Sequence, residues 1–264
     1  MKKYIVPFCL ALAFLIVSCE EEPVVESTPD TPHTWSDWFS TDLESDSIIL
    51  FVSDIARQFQ IKCSIEGITV VNDDEFVAKL YNHSSSSISV GSSYSYTGHF
   101  SIAPVRVGRT NLHVSAQNHN TDIKVVILGE HYTYTEPGID FDDTEDSVRS
   151  KLIKSFSYYA YNSADQYYQV GDSRGKYNLY INYSNNGMID NYVVDLYQGE
   201  SAEEITGFIS ERYYKTSAYS NGLPVYIKAY NLANPSISDA SIVIIPNPTH
   251  HKVTYKNPAT YGTK

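Results

Sequence analysis

Five tyrosines lie close together in the second half of the chain, and side chains of this type are suited to binding. They are Tyr158, Tyr159, Tyr161, Tyr167 and Tyr168, separated mostly by serine, asparagine, aspartate and glutamine. Tyrosine presents a broad, stiff apolar ring with a hydroxyl at its tip, and it orders at a low cost in entropy. We interpret this segment as a candidate ligand-binding surface on which sugar rings could stack. Half-buried strand positions are the alternative use of tyrosine.

Patterns that predict catalysis are missing from the sequence. The chain has no G-x-S-x-G elbow and no Cys/His pair in a recognisable frame, and these are the usual signals of an activated nucleophile. Carboxylates are abundant, so a pair of the kind that glycosidases use stays open. We therefore expect that the protein is not an enzyme and takes no cofactor.

An acidic cluster between residues 140 and 146 is a candidate calcium site, formed by Asp140, Asp142, Asp143, Glu145 and Asp146. It lacks the glycine and the terminal glutamate of an EF-hand loop. It also precedes a predicted helix, whose N-terminal dipole favours acidic residues without any metal. The histidine pairs His113 with His119 and His250 with His251 lack the spacing of zinc sites. We expect no metal site, and a metal at the acidic cluster stays open.

The N-terminus predicts where the protein is located. Lys2 and Lys3 precede an uncharged, mostly apolar run over residues 4–17, which has the size of a signal-peptide core and is too short to span a bilayer. The run ends in Leu15-Ile16-Val17-Ser18-Cys19, which resembles a bacterial lipobox. The resemblance implies that a signal peptide over 1–18 is removed and that Cys19 receives lipid, including palmitate. A plain secretory signal is the alternative.

The residues after Cys19 predict a tether. Glu20-Glu21-Glu22 and a polar, proline-bearing stretch follow, and this composition over 19–41 favours a flexible segment. The acidic run resembles the export signal of Bacteroidetes surface lipoproteins, which implies an outer-membrane protein that faces the cell exterior. A solvated charge run on a protein facing the periplasm is the alternative.

The charge of the chain limits its partners. Without residues 1–18 the chain keeps 17 basic and 31 acidic residues, a net charge of −14. A chain this acidic repels phosphate backbones, so nucleic acid is excluded as a partner. It also repels anionic lipid headgroups, so the membrane is reached through the lipid on Cys19.

Residues 42–130 predict an all-β sandwich. Short β-rich runs alternate with polar turns, and the alternation puts Phe59, Ile61 and Cys63 on one face with the thiol buried. The segment over 104–115, followed by Val125-Val126-Ile127, resembles the closing hairpin of bacterial Ig-like domains. That resemblance implies an Ig-like sandwich that serves as a spacer or an adhesive module.

Residues 131–249 predict an α+β domain with two helices on an antiparallel sheet. A turn at Glu136-Pro137-Gly138 marks its start, and helix–strand–strand then occurs twice, over 142–196 and 201–245. This order is similar to that of small α+β modules of surface lipoproteins, including those shaped like β-lactamase inhibitor proteins, and it transfers no residues. Residues 250–264 are predicted to form a C-terminal tail.

These observations predict a membrane-anchored surface lipoprotein that binds a glycan or a protein without catalysis. Two alternatives are a structural accessory subunit of an envelope complex and an enzyme whose site is not recognised. An exposed tyrosine patch would favour binding. A deep pocket with convergent carboxylates would favour the enzyme.

Overall fold

The computed structural model describes residues 37–90, 93–173, 175–196, 200–229 and 235–261. All of them belong to one compact unit, which spans residues 32–264. The predicted signal peptide, Cys19 and most of the predicted tether lie outside the described residues. Within those ranges, no helix is both long enough and apolar enough to cross a membrane.

The first part of the described chain forms eight strands in two four-stranded sheets. The strands are β1 (Phe39–Thr41), β2 (Ser47–Phe51), β3 (Arg57–Cys63), β4 (Thr69–Asn72), β5 (Ala78–Val90), β6 (Ser93–Pro104), β7 (Gly108–Ala116) and β8 (His119–Leu128). One sheet has the order β1-β3-β6-β5 and is antiparallel throughout. The other has the order β2-β8-β7-β4, and its β2–β8 pair is parallel.

Side chains from both sheets bury into one core. Phe59 on β3 stacks on Phe100 of β6 with ring centroids 5.7 Å apart, and Val125 on β8 lies in the same cluster. The alternation predicted for Phe59, Ile61 and Cys63 is confirmed, because all three are buried on one face of β3. Burial raises the pKa of the Cys63 thiol, as expected of an inert packed cysteine.

The second part forms two helices and one eight-stranded sheet. Its elements are α1 (Glu145–Ser155), β9 (Tyr158–Asn162), β10 (Tyr167–Asp172), β11 (Gly175–Tyr183), β12 (Ile189–Leu196), α2 (Ala202–Arg212), β13 (Tyr214–Ser220), β14 (Leu223–Ala229), β15 (Ala240–Asn247) and β16 (Lys252–Lys256). The sheet order is β13-β14-β15-β16-β12-β11-β10-β9, and every pair is antiparallel.

Both helices begin at a hydroxyl cap and bury one stripe against this sheet. Thr144 accepts a hydrogen bond from the N–H of residue 147 at 3.3 Å, and Ser201 accepts one from the N–H of residue 204 at 3.0 Å. Val148 and Leu152 of α1 share one buried cluster with Ile205 of α2 and with side chains of the sheet. The mostly-β character of the chain is confirmed. The finer assignment to an Ig-like fold and an α+β fold stays a prediction.

The repeated unit is longer than predicted, because each helix is followed by four strands instead of two. The additional strands are the β9–β10 hairpin after α1 and, after α2, β13 and β16, the last of which lies within the predicted tail of residues 250–264. Val253 and Tyr255 of β16 are buried, and β16 lies between β15 and β12. A five-residue strand next to a proline-rich segment is too short to be predicted from alternation, and its pairing depends on distant strands. The two four-stranded halves join where β12 pairs with β16.

A carboxylate lies within a cluster of buried tyrosines next to the predicted domain boundary. Tyr213 and Tyr255 donate their hydroxyls to Oε1 of Glu136 at 2.6 and 2.8 Å, and the Tyr134 hydroxyl contacts that of Tyr255. Burial, followed by the charge of Glu136, raises the pKa of these three tyrosines well above its usual range. We name these four residues the Glu136 cluster. The predicted boundary turn therefore includes a residue that accepts hydrogen bonds from two core tyrosines.

Candidate ligand-binding site

The five predicted site tyrosines lie on one β-hairpin, in which β9 pairs with β10. Tyr168 lies opposite Tyr161, and Tyr159 lies opposite a buried valine. Residues directly opposite each other share a face of a sheet. Tyr159, Tyr161 and Tyr168 therefore share the helix-covered face, while Tyr158 and Tyr167 lie on the other. The chain turns back between residues 162 and 167, so the five tyrosines are divided between two paired strands and two faces.

The tyrosines on the helix-covered face pack on one another. Tyr168 is only 4% exposed, and burial raises the pKa of its hydroxyl to about 12. Its ring centroid lies 5.0 Å from that of Tyr161 and 5.9 Å from that of Tyr159. Tyr161 is 42% exposed. Tyr168 therefore belongs to the core, and the five tyrosines do not form one platform.

On the opposite face, two tyrosine rings lie side by side on neighbouring strands. Tyr167 of β10 and Tyr180 of β11 have ring centroids 5.3 Å apart, and both are partly exposed. Tyr158 is covered instead, because the ammonium of Lys176 lies 3.7 Å from its ring centroid. On β10, Gly171 lies between Tyr158 of β9 and Lys176 of β11. A Cβ at position 171 would lie 2.7 Å from Lys176 Cγ, which is too close for a side chain there. We name Tyr167 and Tyr180 the tyrosine platform.

Amide side chains flank the tyrosine platform on both sides. Gln169 and Asn178 form the next row of the open face on one side, and their amide groups are 3.5 Å apart. Asn182 lies on the other side and donates to Oδ1 of Asn191 at 2.8 Å. Same-face rows are about 6.7 Å apart along a strand. Flat aromatic rings between rows of donors and acceptors suit a ligand with apolar faces and polar edges.

The open face continues from the platform into a cavity of about 450 Å³. Residues that line it include Asp190, Asn191, Ser220, Asn221, Lys256 and Tyr261. Lys256 lies opposite Asn191 in the β12–β16 pair, and its ammonium is 5.8 Å from the ring centroid of Tyr261. Since Asn191 contacts Asn182 and also lines the cavity, platform and cavity form one continuous surface.

The site residues predicted from the sequence do not include Tyr180, Lys256 or Tyr261. A signal for Tyr180 was present, because Tyr180 alternates with the buried Leu179 and shares its parity with two asparagines of β11. Lys256 and Tyr261 lie in the predicted tail, and only the pairing of β16 brings them to this face.

A lysine occupies the acidic cluster over residues 140–146. Lys151 Nζ lies 2.7 Å from a carboxylate oxygen of Asp140 and 2.7 Å from one of Asp143. Burial raises the pKa of the Asp143 carboxyl, but hydrogen bonds from Lys151, the Asp140 N–H and the Ser147 hydroxyl outweigh it and lower the pKa. Asp140 and Asp143 therefore have partners within the protein. No group of three or more metal-ligating side chains occurs in the described residues.

The histidines of the first pair, His113 and His119, also have partners within the protein. His113 bridges two carboxylates on the surface of the second sheet, with Nε2 2.7 Å from Asp73 and Nδ1 2.5 Å from Asp122. The hydrogen bond with Asp122 is the main cause of the raised pKa of His113. His119 lies apart from it, with its ring centroid 5.5 Å from that of Trp38.

Comparisons with known proteins give only distant similarity. No protein-family model and no curated protein matches the chain. Among solved structures, domains 4 and 5 of the S-layer protein SbsC are 15% identical, cover 34% of this chain and have a TM-score of 0.25. Domains 1–6 of that protein are 13% identical, cover 79% of this chain and have a TM-score of 0.26. This chain spans 50% of the first structure and 22% of the second. Both TM-scores are well below values that indicate a shared fold.

Proposed function

We propose that the protein is a lipid-anchored outer-membrane lipoprotein, facing the cell exterior, that binds a glycan or a protein without catalysis. In this proposal residues 42–130 form an Ig-like spacer, and the α+β domain that follows binds the ligand. The observation that carries the proposal is the tyrosine platform, two partly exposed rings 5.3 Å apart on the sheet face opposite α1 and α2.

The chemistry of the open face supports binding. The faces of Tyr167 and Tyr180 can stack on the C–H groups of a sugar ring or on an apolar side chain. The amides of Gln169 and Asn182 can donate and accept hydrogen bonds on either side. The described lining of the neighbouring cavity includes one carboxylate, Asp190, whereas glycoside hydrolysis typically uses two. This arrangement favours binding over catalysis.

A paired alanine substitution tests the platform. In a glycan-array screen of the mature chain without its lipid (residues 20–264), we expect a hit whose affinity falls about 5- to 150-fold in Tyr167→Ala with Tyr180→Ala, the range for truncated interface anchors. Tyr81→Ala is the matched control, because Tyr81 is 41% exposed and lies on β5, an edge strand of a different sheet. Equal loss in both variants, or an unchanged affinity in the paired variant, would contradict the platform.

The lipobox supports the anchor, and it is tested separately. Cys19→Ala should abolish metabolic labelling with palmitate and release the protein from the membrane fraction. Ser18→Ala is the control, because a small residue before the cysteine is retained. If the Cys19→Ala protein stays in the membrane fraction, the anchor is wrong, whereas the platform is unaffected by that result.

A further inference from the structure

We infer that the ligand of this face is a saccharide chain that carries a carboxylate, with one sugar ring on the tyrosine platform and the carboxylate at Lys256. The inference rests on the proposed function and adds the chemical class of the ligand. Its basis is the cavity that continues the platform toward β16, because this cavity combines hydroxyl-binding groups with an ammonium group.

The geometry requires a ligand longer than one ring. Tyr180 lies on β11 and Lys256 on β16, with β12 between them, and Lys256 lies one same-face row beyond Tyr180. Two strand spacings of about 4.8 Å and one row of about 6.7 Å therefore put their positions roughly 12 Å apart. Asn191 lies between them, bonded to Asn182 and lining the cavity. A ligand that stacks on the platform and reaches the cavity therefore crosses roughly 12 Å of the open face. A chain of two or more sugars meets this requirement.

The charges identify the group that should enter the cavity. On the same open face, Lys252 is paired with Asp195 at 3.2 Å. Lys256 differs, since no carboxylate of the described residues lies within 4.0 Å of its Nζ. Its ammonium instead lies over the ring of Tyr261 in a cation–π contact. Lys256 is partly exposed and lines the cavity. A ligand carboxylate in the cavity would pair with its ammonium through a charge-assisted hydrogen bond.

The rest of the cavity suits the hydroxyls of the same sugar. Asp190 can accept hydrogen bonds from hydroxyl groups, while Ser220 and Asn221 can donate and accept. The ring of Tyr261 provides a second apolar face. The volume of about 450 Å³ lies within the range of about 300–1,000 Å³ that is usual for ligand pockets. The cavity therefore fits the terminal, acidic sugar of a chain.

Matched acidic and neutral sugars test the inference in residues 20–264. The probes are tri-galacturonate, a hyaluronan tetrasaccharide and sialyllactose, with the carboxyl-reduced form of the first two and lactose for the third. By calorimetry we expect at least one acidic probe to bind about ten-fold or more tightly than its neutral counterpart. Lys256→Gln should remove that preference, because a hydrogen bond to a charged group is worth roughly ten-fold or more in affinity. Lys252→Gln is the matched control and should keep it.

The outcomes separate this inference from the proposed function. Equal binding of acidic and neutral forms, or a preference that persists in Lys256→Gln, overturns the carboxylate and leaves a platform that takes neutral sugars. Loss of acidic binding in both lysine variants overturns the assignment to Lys256. If no acidic probe binds while another array glycan binds and depends on Tyr167 and Tyr180, this inference fails and the proposed function stands. If no glycan depends on those tyrosines, this inference fails and the proposed function keeps only a protein ligand.

Discussion

Replacing Glu136 with alanine removes the acceptor on which two buried hydroxyls converge. Tyr213 and Tyr255 donate to the same oxygen at 2.6 and 2.8 Å. A hydrogen bond to a charged group contributes roughly 1.5–3 kcal/mol. Two of them give about 3–6 kcal/mol, and because Glu136 is itself partly exposed, water that enters the gap recovers part of this. We therefore expect Glu136→Ala to lower the free energy of unfolding by about 3–4 kcal/mol.

Urea denaturation followed by far-UV circular dichroism measures this loss, provided that the m-value is unchanged. Glu136→Gln keeps a neutral oxygen acceptor and should cost about half as much, since charge-assisted bonds are about twice as strong as neutral ones. Glu44→Ala, at an exposed position, is the control and should cost less than about 0.5 kcal/mol. In a double-mutant cycle, Glu136→Ala and Tyr255→Phe should couple by about 1 kcal/mol or more. A loss below about 1 kcal/mol in Glu136→Ala, or additive effects, would refute the reasoning.

Three further predictions concern folding and pH. The fragment 139–264, which lacks the carboxylate of the Glu136 cluster, should unfold at a lower urea concentration than the fragment 131–264. If the urea midpoints of the two fragments are equal, the Glu136 cluster does not stabilise this part of the chain. Tyr168→Ala should destabilise the chain by about 3–5 kcal/mol, as large aromatic truncations in cores do, whereas Tyr161→Ala should cost under about 1 kcal/mol because its ring is 42% exposed; similar values by urea titration would contradict the assignment of Tyr168, but not Tyr161, to the core. The pKa of His113 is raised in the folded protein, so its two ion pairs stabilise the fold fully below the unfolded pKa of about 6.5 and lose this effect as pH rises through the folded pKa. The difference in the free energy of unfolding between wild type and His113→Gln should therefore shrink from pH 5.5 to pH 8. A difference that stays constant over this range would argue against the two ion pairs.

Local signals in the sequence predict local structure correctly. Phe59 and Ile61 alternate with polar residues, and β3 buries them. Ser201 stands three residues before Glu204 at the start of an apolar helical stripe, and α2 begins there. In both cases the deciding interactions lie within a few residues, so the period of the pattern determines the result.

The parts that sequence reasoning misses depend on pairing between distant residues. The turn between β9 and β10 contains no glycine, and Gln166 adopts a left-handed φ of 54° there, so the usual hairpin signal is absent. The face on which each tyrosine lies then follows from register, which the sequence of one strand does not contain. Lys256 reaches the candidate site only because β16 pairs with β12, about 60 residues earlier in the chain.

A repeat of the helix pattern was nevertheless available in the sequence. Four pairs of residues, each separated by 57 positions, match in type and place: Thr144 with Ser201, Val148 with Ile205, Leu152 with Ile209, and Phe156 with Tyr213. The first pair contains the N-cap residues of the two helices, the next two pairs contain buried positions, and the last pair contains the residue after each helix. A search for internal repeats predicts the doubled unit, but not the number of strands in it.

The junction of β12 and β16 has a consequence for how such a chain can arise. Each half of the sheet consists of one helix and four consecutive strands, and the last strand of each half pairs antiparallel with the last strand of the other. One half alone would leave the backbone groups of its fourth strand unpaired, and an identical half turned by 180° could satisfy them. The order and direction of the strands therefore have the twofold symmetry of a dimer of two such halves, here contained in one polypeptide. The two halves differ in their side chains, and the tyrosine platform that we assign to ligand binding lies on the first half.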